Sequence, residues 1–191
     1  MPEYRRAYAP GGSFFLTIVT YNRAPLFANP VSVAKLRDAM LTVKNERPFE
    51  ITAAFILPDH LHLTWGLPPD DANLAARVGR FKILATRSIR GEDPPMQPIS
   101  ASRVRHRERD VWQRRFWEHQ LRDELDFEQH MAYIHYNPVK HGLASCPHEW
   151  PFSSFGRWVR RGAYPADWCC GCGEVIPRPP AFDDIVATVG E

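Results

Sequence analysis

The chain has 191 residues, 44% of them hydrophobic, with a formal net charge of +2 and a pI near 8.4. That length can bury a core without disulfides, so one domain is expected, and so mild a charge does not by itself assign a partner class. The apolar run Phe14 to Val19 is too short for a secretory segment and leads into Thr20, Tyr21 and Asn22 rather than a cleavage site; no stretch reaches the length of a membrane span, and a cytoplasmic protein is expected.

After the turn at Pro10 to Gly12, SFFLTIVTY (Ser13 to Tyr21) is rich in β-branched and aromatic residues and reads as a first strand. Val33, Leu36, Met40 and Val43 recur at helical spacing between Pro30 and Pro48. FEITAAFIL (Phe49 to Leu57) and HLHLTWGL (His60 to Leu67) flank the short Pro58-Asp59 turn, which predicts an antiparallel hairpin. From Asp71 to Arg90 a second helix places Leu74, Val78 and Phe81 on one stripe, with Leu84 or Ala85 continuing it, and basic residues opposite. Gly91 to Asp110 carries three prolines and reads as a loop. RRFWEHQLR (Arg114 to Arg122) is the candidate fourth strand, and Asp123 to Asn137 a helix capped by Asp123 and stopped by Pro138.

The order of the first six elements is that of a ferredoxin-like split β-α-β fold: class α+β, a four-stranded antiparallel sheet with helices, here followed by a further helix and an extended tail. Residues 1–145 are the expected domain and 146–191 an extension that packs on it or touches a ligand. In that extension, HEWPFSSFGRWVRRGAYPADW alternates aromatics with arginines and has no clean period.

His60 and His62 stand one residue apart on a strand, so both imidazoles face one side of the sheet while Leu61 and Leu63 face the other. Two neutral imidazoles on a half-buried surface need something to engage their lone pairs. Hydrogen-bonded edge histidines and metal ligands both satisfy that need. The last helix offers further groups: a spacing of four stacks Asn137 over Tyr133, with Gln129 and His130 on the same side, while Phe127, Met131 and Ile134 form a separate apolar edge. Asn137 can give a carbonyl oxygen to an ion, and two histidines with one amide oxygen suit Mn²⁺ or Mg²⁺ better than a closed zinc site. Tyr133 would stand one turn away. Free tyrosine, with a pKa of about 10, is ionised in only about one molecule in a thousand at pH 7, so a nucleophilic phenol needs activation. A tyrosine packing on the sheet is the plainer alternative.

Arginine dominates the basic runs. Arg77, Arg80, Lys82, Arg87 and Arg90 occur between Ala72 and Gly91 without an acid, and Arg103 to Arg115 adds a second cluster. Guanidinium groups suit bidentate phosphate contact, although a solvated basic face has the same composition. Of four cysteines, Cys146 stands apart, and Cys169, Cys170 and Cys172 crowd into CCGC. That spacing lacks paired Cys-x-x-Cys knuckles and reads as a reduced thiol cluster, with zinc binding together with His148 as the weaker reading.

LPDHLHLTW, RFWEHQLRDELDFEQHMAYIHYNPVKHG and WPFSSFGR resemble the REP-associated tyrosine transposases, relatives of the single-tyrosine insertion-sequence transposases in the His-hydrophobe-His (HUH) endonuclease superfamily. The likeness runs from EYRRAYAPGG (Glu3 to Gly12) to YPADW (Tyr164 to Trp168). It implies an HUH-type nuclease domain with the ferredoxin-like fold, and a divalent metal, Mg²⁺ or Mn²⁺, held by His60, His62 and, where the superfamily often has Gln, Asn137. It implies Tyr133 as the nucleophile, being the tyrosine four residues before the amide that precedes proline; Tyr136 falls off that match.

The implied reaction is cleavage of single-stranded DNA to a 5′-phosphotyrosine and a free 3′-hydroxyl, with rejoining that needs no nucleotide cofactor. PGGS accordingly lacks the lysine and spacing of a phosphate-binding loop. The implied partner is DNA carrying repetitive extragenic palindromes (REPs), a hairpin with a short single-stranded flank, met by a nucleoid-associated monomer. Arg5, Arg6, Arg77, Arg80, Lys82, Arg87, Arg114, Arg115 and Arg157 would track phosphates, and Trp150, Phe152, Phe155 and Trp158 would stack on unpaired bases. A hairpin-binding protein that has lost turnover is the alternative function.

Overall fold

The computed structural model describes residues 9–172, together with 181–182, 185 and 189–190. Arg5 and Arg6 lie outside the described residues. Four antiparallel strands, β1 (Ser13–Val19), β2 (Glu50–Ile56), β3 (His60–Gly66) and β4 (Trp117–Gln120), form one sheet in the order β2-β3-β1-β4. That order, with helices α1 (Pro30–Glu46) and α2 (Leu74–Arg90) as crossovers, is the split β-α-β arrangement of an α+β fold. Both helices start on asparagine caps: the Asn29 side chain accepts from Ser32 N, and Asn73 from Ala76 N.

Strand alternation divides the sheet into two unlike faces. Phe14, Leu16, Ile18, Leu61, Leu63 and Trp65 point under α1 and α2, where Leu36, Val43, Val78 and Phe81 meet them in the larger core. Each such side chain, fully buried, contributes roughly 1.5–3 kcal/mol. Phe15, Ala53 and Phe55 point to the opposite face, which is covered by α4 (Glu124–Lys140) through Met131, Tyr133 and Ile134. The same face carries Thr17, His60, His62 and Thr64, all buried. Polar groups sunk beneath a helix on one side of a sheet mark a candidate site.

Three expectations are corrected. The Gly91 to Asp110 stretch holds a short helix, α3 (Ala101–Arg105), because Ser100 caps it by accepting from Arg103 N. β4 covers only Trp117–Gln120, paired to β1, so it is shorter than the Arg114 to Arg122 run. Pro138 does not stop the last helix, which continues to Lys140. A proline removes one amide donor, but this one falls in the final turn, where His141 N reaches Asn137 O, Leu143 N reaches Pro138 O, and Gly142 leaves the helix at φ 65°.

The tail is used differently from the expectation that its aromatics stack on bases. β2 is an edge strand, interrupted between Ile51 and Ala53, and its outer carbonyls need partners. Residues 150–158, which include the start of α5 (Phe155–Arg160), supply them. Ile56 N bonds Phe152 O and Ser154 N bonds Ala54 O, while Trp150 Nε1 donates to Ile56 O and Trp158 Nε1 to Thr52 O. Arg157 donates to Ile51 O at 3.0 Å and to Thr52 O. Phe155 is 1% exposed and stacks on Tyr164 and Trp168. In this arrangement Trp150, Phe155, Arg157 and Trp158 are sheet-edge and core residues, and a buried Phe155 ring has no face to offer a base.

Candidate active site

His60 and His62 sit side by side on β3 with ring centroids 4.9 Å apart and planes at 86°. Each ring is fixed from behind. His60 Nδ1 lies 2.7 Å from the Asp59 carboxylate, an acceptor only, so Nδ1 carries the hydrogen and Nε2 keeps its lone pair. Burial alone would raise the Asp59 pKa; hydrogen bonds from His60 and Arg23 outweigh it and hold the group below the usual carboxylate value. His62 Nδ1 lies 3.0 Å from Thr17 Oγ1, and that hydroxyl donates its single hydrogen to the carbonyl of Val189. Thr17 must therefore accept from His62 Nδ1–H, and in the neutral ring Nε2 is then the acceptor nitrogen. An outer acceptor that sets the tautomer and aim of each imidazole is the support that metal-ligating histidines require.

α4 lies directly over this pair. The Tyr133 ring is 5.6 Å from His62, and the His141 ring is 5.7 Å from His60, so the helix runs along β3 with Asn137 between the two contacts. Asn137 is fully buried, and its Nδ2 donates to Tyr133 O at 3.1 Å. Its Oδ1 accepts no hydrogen bond among the described residues. An orphaned buried carbonyl oxygen beside two oriented imidazoles fits a divalent cation, because an ion supplies the missing partner.

Tyr133 is 1% exposed, packed between Phe15 and Phe182, with Phe182 edge-on at 5.3 Å. Lys140 Nζ donates to its phenol oxygen at 2.9 Å. Tyr136 is partly exposed and carries a pKa raised by burial and by Cys169; its ring neighbour is Phe182, at 5.7 Å. Lys140, His141, Thr17 and Asp59 went unread in the sequence. Lys140 had a signal, since seven residues are two helical turns and return to the face of Tyr133. Thr17 had none, being 45 residues from the histidine it orients.

Two turns before Tyr133, Asp126 is the hub of a second polar cluster. Its carboxylate accepts from His119 Nε2 and Arg122 Nε, both at 2.9 Å, and lies 3.1 Å from His130 Nδ1. Burial pushes its pKa up, but the Arg122 and His119 hydrogen bonds win and bring it to about 2. His119, Asp126 and His130 have ligand atoms close enough to share an ion. The Arg122 guanidinium already on that carboxylate opposes a second cation, so the cluster serves to lock α4 to β4.

The basic residues divide. Arg77 is 2% exposed and bonds Asp71, Arg47 O, Asn73 O and Pro48 O, which corrects its expected place on a DNA-facing surface: its guanidinium closes the loop into α2. Arg80 is held bidentate by Glu46. Lys82, Arg87, Arg103, Arg107, Arg109 and Arg114 line a groove of about 470 Å³ with Trp112 on its wall. Lys82 there also donates to Gln113 O, and Arg114 is paired with Glu108. Arg115 is exposed beside it. Trp112 bridges to Thr20, whose amide bonds Asp59 O, so this wall of the groove adjoins the end of the sheet where His60 sits.

A family model described as "Transposase IS200 like" matches residues 13–137. Over 168 residues the chain is 39% identical to a REP-associated tyrosine transposase of Escherichia coli K12, covering 88% of this chain and 91% of that one. It is 41% identical over the same length to a provisionally named REP-associated tyrosine transposase of Haemophilus influenzae, covering 93% of it. A REP-associated tyrosine transposase solved bound to a REP hairpin superposes with a TM-score of 0.73 at 36% identity, spanning 95% of this chain and 99% of that one.

Proposed function

The chain belongs to the IS200-like transposase family, and on that premise we propose that it cuts and rejoins single-stranded DNA beside REP-type hairpins, using Tyr133 as nucleophile. The phenol oxygen attacks phosphorus, the bond to the 3′ oxygen breaks, the phenol loses its proton and the departing oxygen gains one. The products are a 5′-phosphotyrosine and a 3′-hydroxyl, and attack by another 3′-hydroxyl reverses the step. Lys140, 2.9 Å from the phenol oxygen, balances negative charge there whenever tyrosine is the leaving group. His60, His62 and Asn137 would hold the divalent ion, Mg²⁺ or Mn²⁺, which when bound draws charge from the phosphate oxygens.

The observation that carries this reading is the 5.6 Å approach of the Tyr133 ring to His62, which brings phenol and imidazole pair onto one face. The groove around Lys82, Arg87 and Arg114 would hold the hairpin, and phosphate contacts there give affinity without sequence. Because no step needs a second subunit or a nucleotide, a monomer acting on cytoplasmic, nucleoid DNA suffices. The closed state of the phenol, 1% exposed under Phe182, favours a second reading in which the protein binds hairpins and turns over slowly or not at all.

Incubating the full-length protein with end-labelled hairpin DNA and Mn²⁺ separates the two. Turnover yields a covalent adduct whose linked peptide contains Tyr133 by mass spectrometry, and Tyr133→Phe abolishes the adduct while leaving the gel shift near normal. A shift with no cleavage product establishes the binding-only reading. An adduct that persists in Tyr133→Phe ends the assignment of the nucleophile.

A further inference from the structure

Beyond the end of α4, three cysteines and a histidine converge. Cys146 opens a short 3-10 turn that contains His148, six residues beyond the end of α4; Cys170 and Cys172 lie in the loop after Trp168. Cys172 Sγ is 2.8 Å from Cys170 Sγ and 3.1 Å from Cys146 Sγ. Cys146 and Cys170 are placed as a bonded pair, and the ligand nitrogen of His148 lies within 4.8 Å of both sulfurs. The loops that carry them are fastened independently of sulfur. Gly171 N donates to Ser145 O at 2.8 Å, and the Glu149 carboxylate accepts from Ser145 N at 2.9 Å and Cys146 N at 3.1 Å. A Cβ on residue 171 would sit 3.1 Å from Ser145 O, so glycine between the two cysteines lets the loops approach.

We propose that Cys146, His148, Cys170 and Cys172 form a structural zinc site of the three-thiolate, one-imidazole kind. A disulfide uses two of these groups and gives the third sulfur and the imidazole nothing to do, whereas one tetrahedral ion uses all four. Thiolates bound at about 2.3 Å from zinc stand about 3.8 Å apart, so an ion among these sulfurs requires the Cys146–Cys170 pair to be reduced and the three sulfurs, two of whose separations are 2.8 and 3.1 Å, to spread by side-chain rotation. Soft thiolate donors in a closed set of four select zinc over Mg²⁺ or Mn²⁺, so this centre differs in metal and purpose from the one beside Tyr133. Binding converts three thiols to thiolates and releases their protons to solvent. The cytosolic compartment in which chromosomal DNA is kept preserves thiols, which favours the ion over the Cys146–Cys170 disulfide. Such a site would tie the end of α4 to the 167–172 loop.

The test uses the full chain, untagged and purified in reducing buffer. Elemental analysis should find one zinc per chain retained through dialysis, and cobalt substitution should give the thiolate charge-transfer band and intense visible bands of a tetrahedral site. Cys172→Ser and His148→Ala, both at exposed positions, should fold, lower zinc affinity by more than about 100-fold, beyond the cost of losing an outer-shell partner, and lower the melting temperature. Zinc content unchanged in both variants would overturn the proposal. So would zinc-free protein whose acid-quenched, alkylated peptides show a Cys146–Cys170 disulfide.

Discussion

Lys140 Nζ and the Tyr133 phenol oxygen, two helical turns apart on α4, meet at 2.9 Å, with the ammonium 4.6 Å from the ring centre. The helix thus brings its own cation to the oxygen proposed to gain and lose phosphorus. Lys140→Met is expected to slow adduct formation and religation about 100-fold, the scale of one lost donor at a charged transition state, while hairpin affinity stays within about twofold. Single-turnover kinetics with labelled hairpin DNA, set beside a gel-shift titration, read the two quantities separately.

Thr17 accepts the hydrogen of His62 Nδ1, so Thr17→Val leaves that N–H without its partner and frees the ring to turn. The Mn²⁺ concentration that half-saturates cleavage should rise about 10–100-fold, with the maximal rate largely recovered at high Mn²⁺. Thr17→Ser, which keeps the hydroxyl, should behave as the parent. A rate deficit that no Mn²⁺ concentration relieves would contradict the role given to Thr17.

Burial, with Arg157 adding to it, pushes the His135 pKa down to about 3. The unfolded chain takes up a proton near pH 6.5 that the folded chain refuses until about pH 3. This contribution to stability is therefore intact above pH 6.5 and is lost as pH falls through that interval, by up to about 1.4 kcal/mol per pH unit. His135→Gln retains an acceptor for Ser154, 2.9 Å away, and should flatten the dependence of the urea midpoint on pH between 6.5 and 4.

Arginines of the tail and of the groove should separate cleanly. Arg157→Ala strips donors from Ile51 O and Thr52 O and should cost about 1–3 kcal/mol of stability with no change in the salt dependence of hairpin binding. Arg87→Ala, on the groove, should leave the melting temperature unchanged and reduce the slope of log affinity against log salt by about one. The converse pattern would place DNA on the tail.

Much of this arrangement was legible in the chain. Period-two alternation in SFFLTIVTY and HLHLTWGL fixes which residues share a face, and the Pro58-Asp59 turn fixes the hairpin, so the imidazole pair and its strand follow directly. That Asn137 stacks one turn beyond Tyr133 follows from helical spacing. The tail misled because arginines and tryptophans that satisfy edge-strand carbonyls have the same composition as those that hold nucleic acid. Only the pairing of residues about 100 positions apart distinguishes the two. Arg77 misled similarly: its place on the buried flank of α2 depends on Arg47 and Pro48, two carbonyls that no local pattern points to. The link from Thr17 to Val189 spans 172 residues.

The closure of β2 by residues 150–158 also constrains how the chain can be made. During synthesis all four strands leave the ribosome well before Trp150 to Trp158, so an incomplete polypeptide carries a naked row of amides and carbonyls along one border. Fragments ending near residue 145 should cling to one another rather than stay dispersed, and the nuclease portion and its trailing segment therefore stand or fall as a single folding unit.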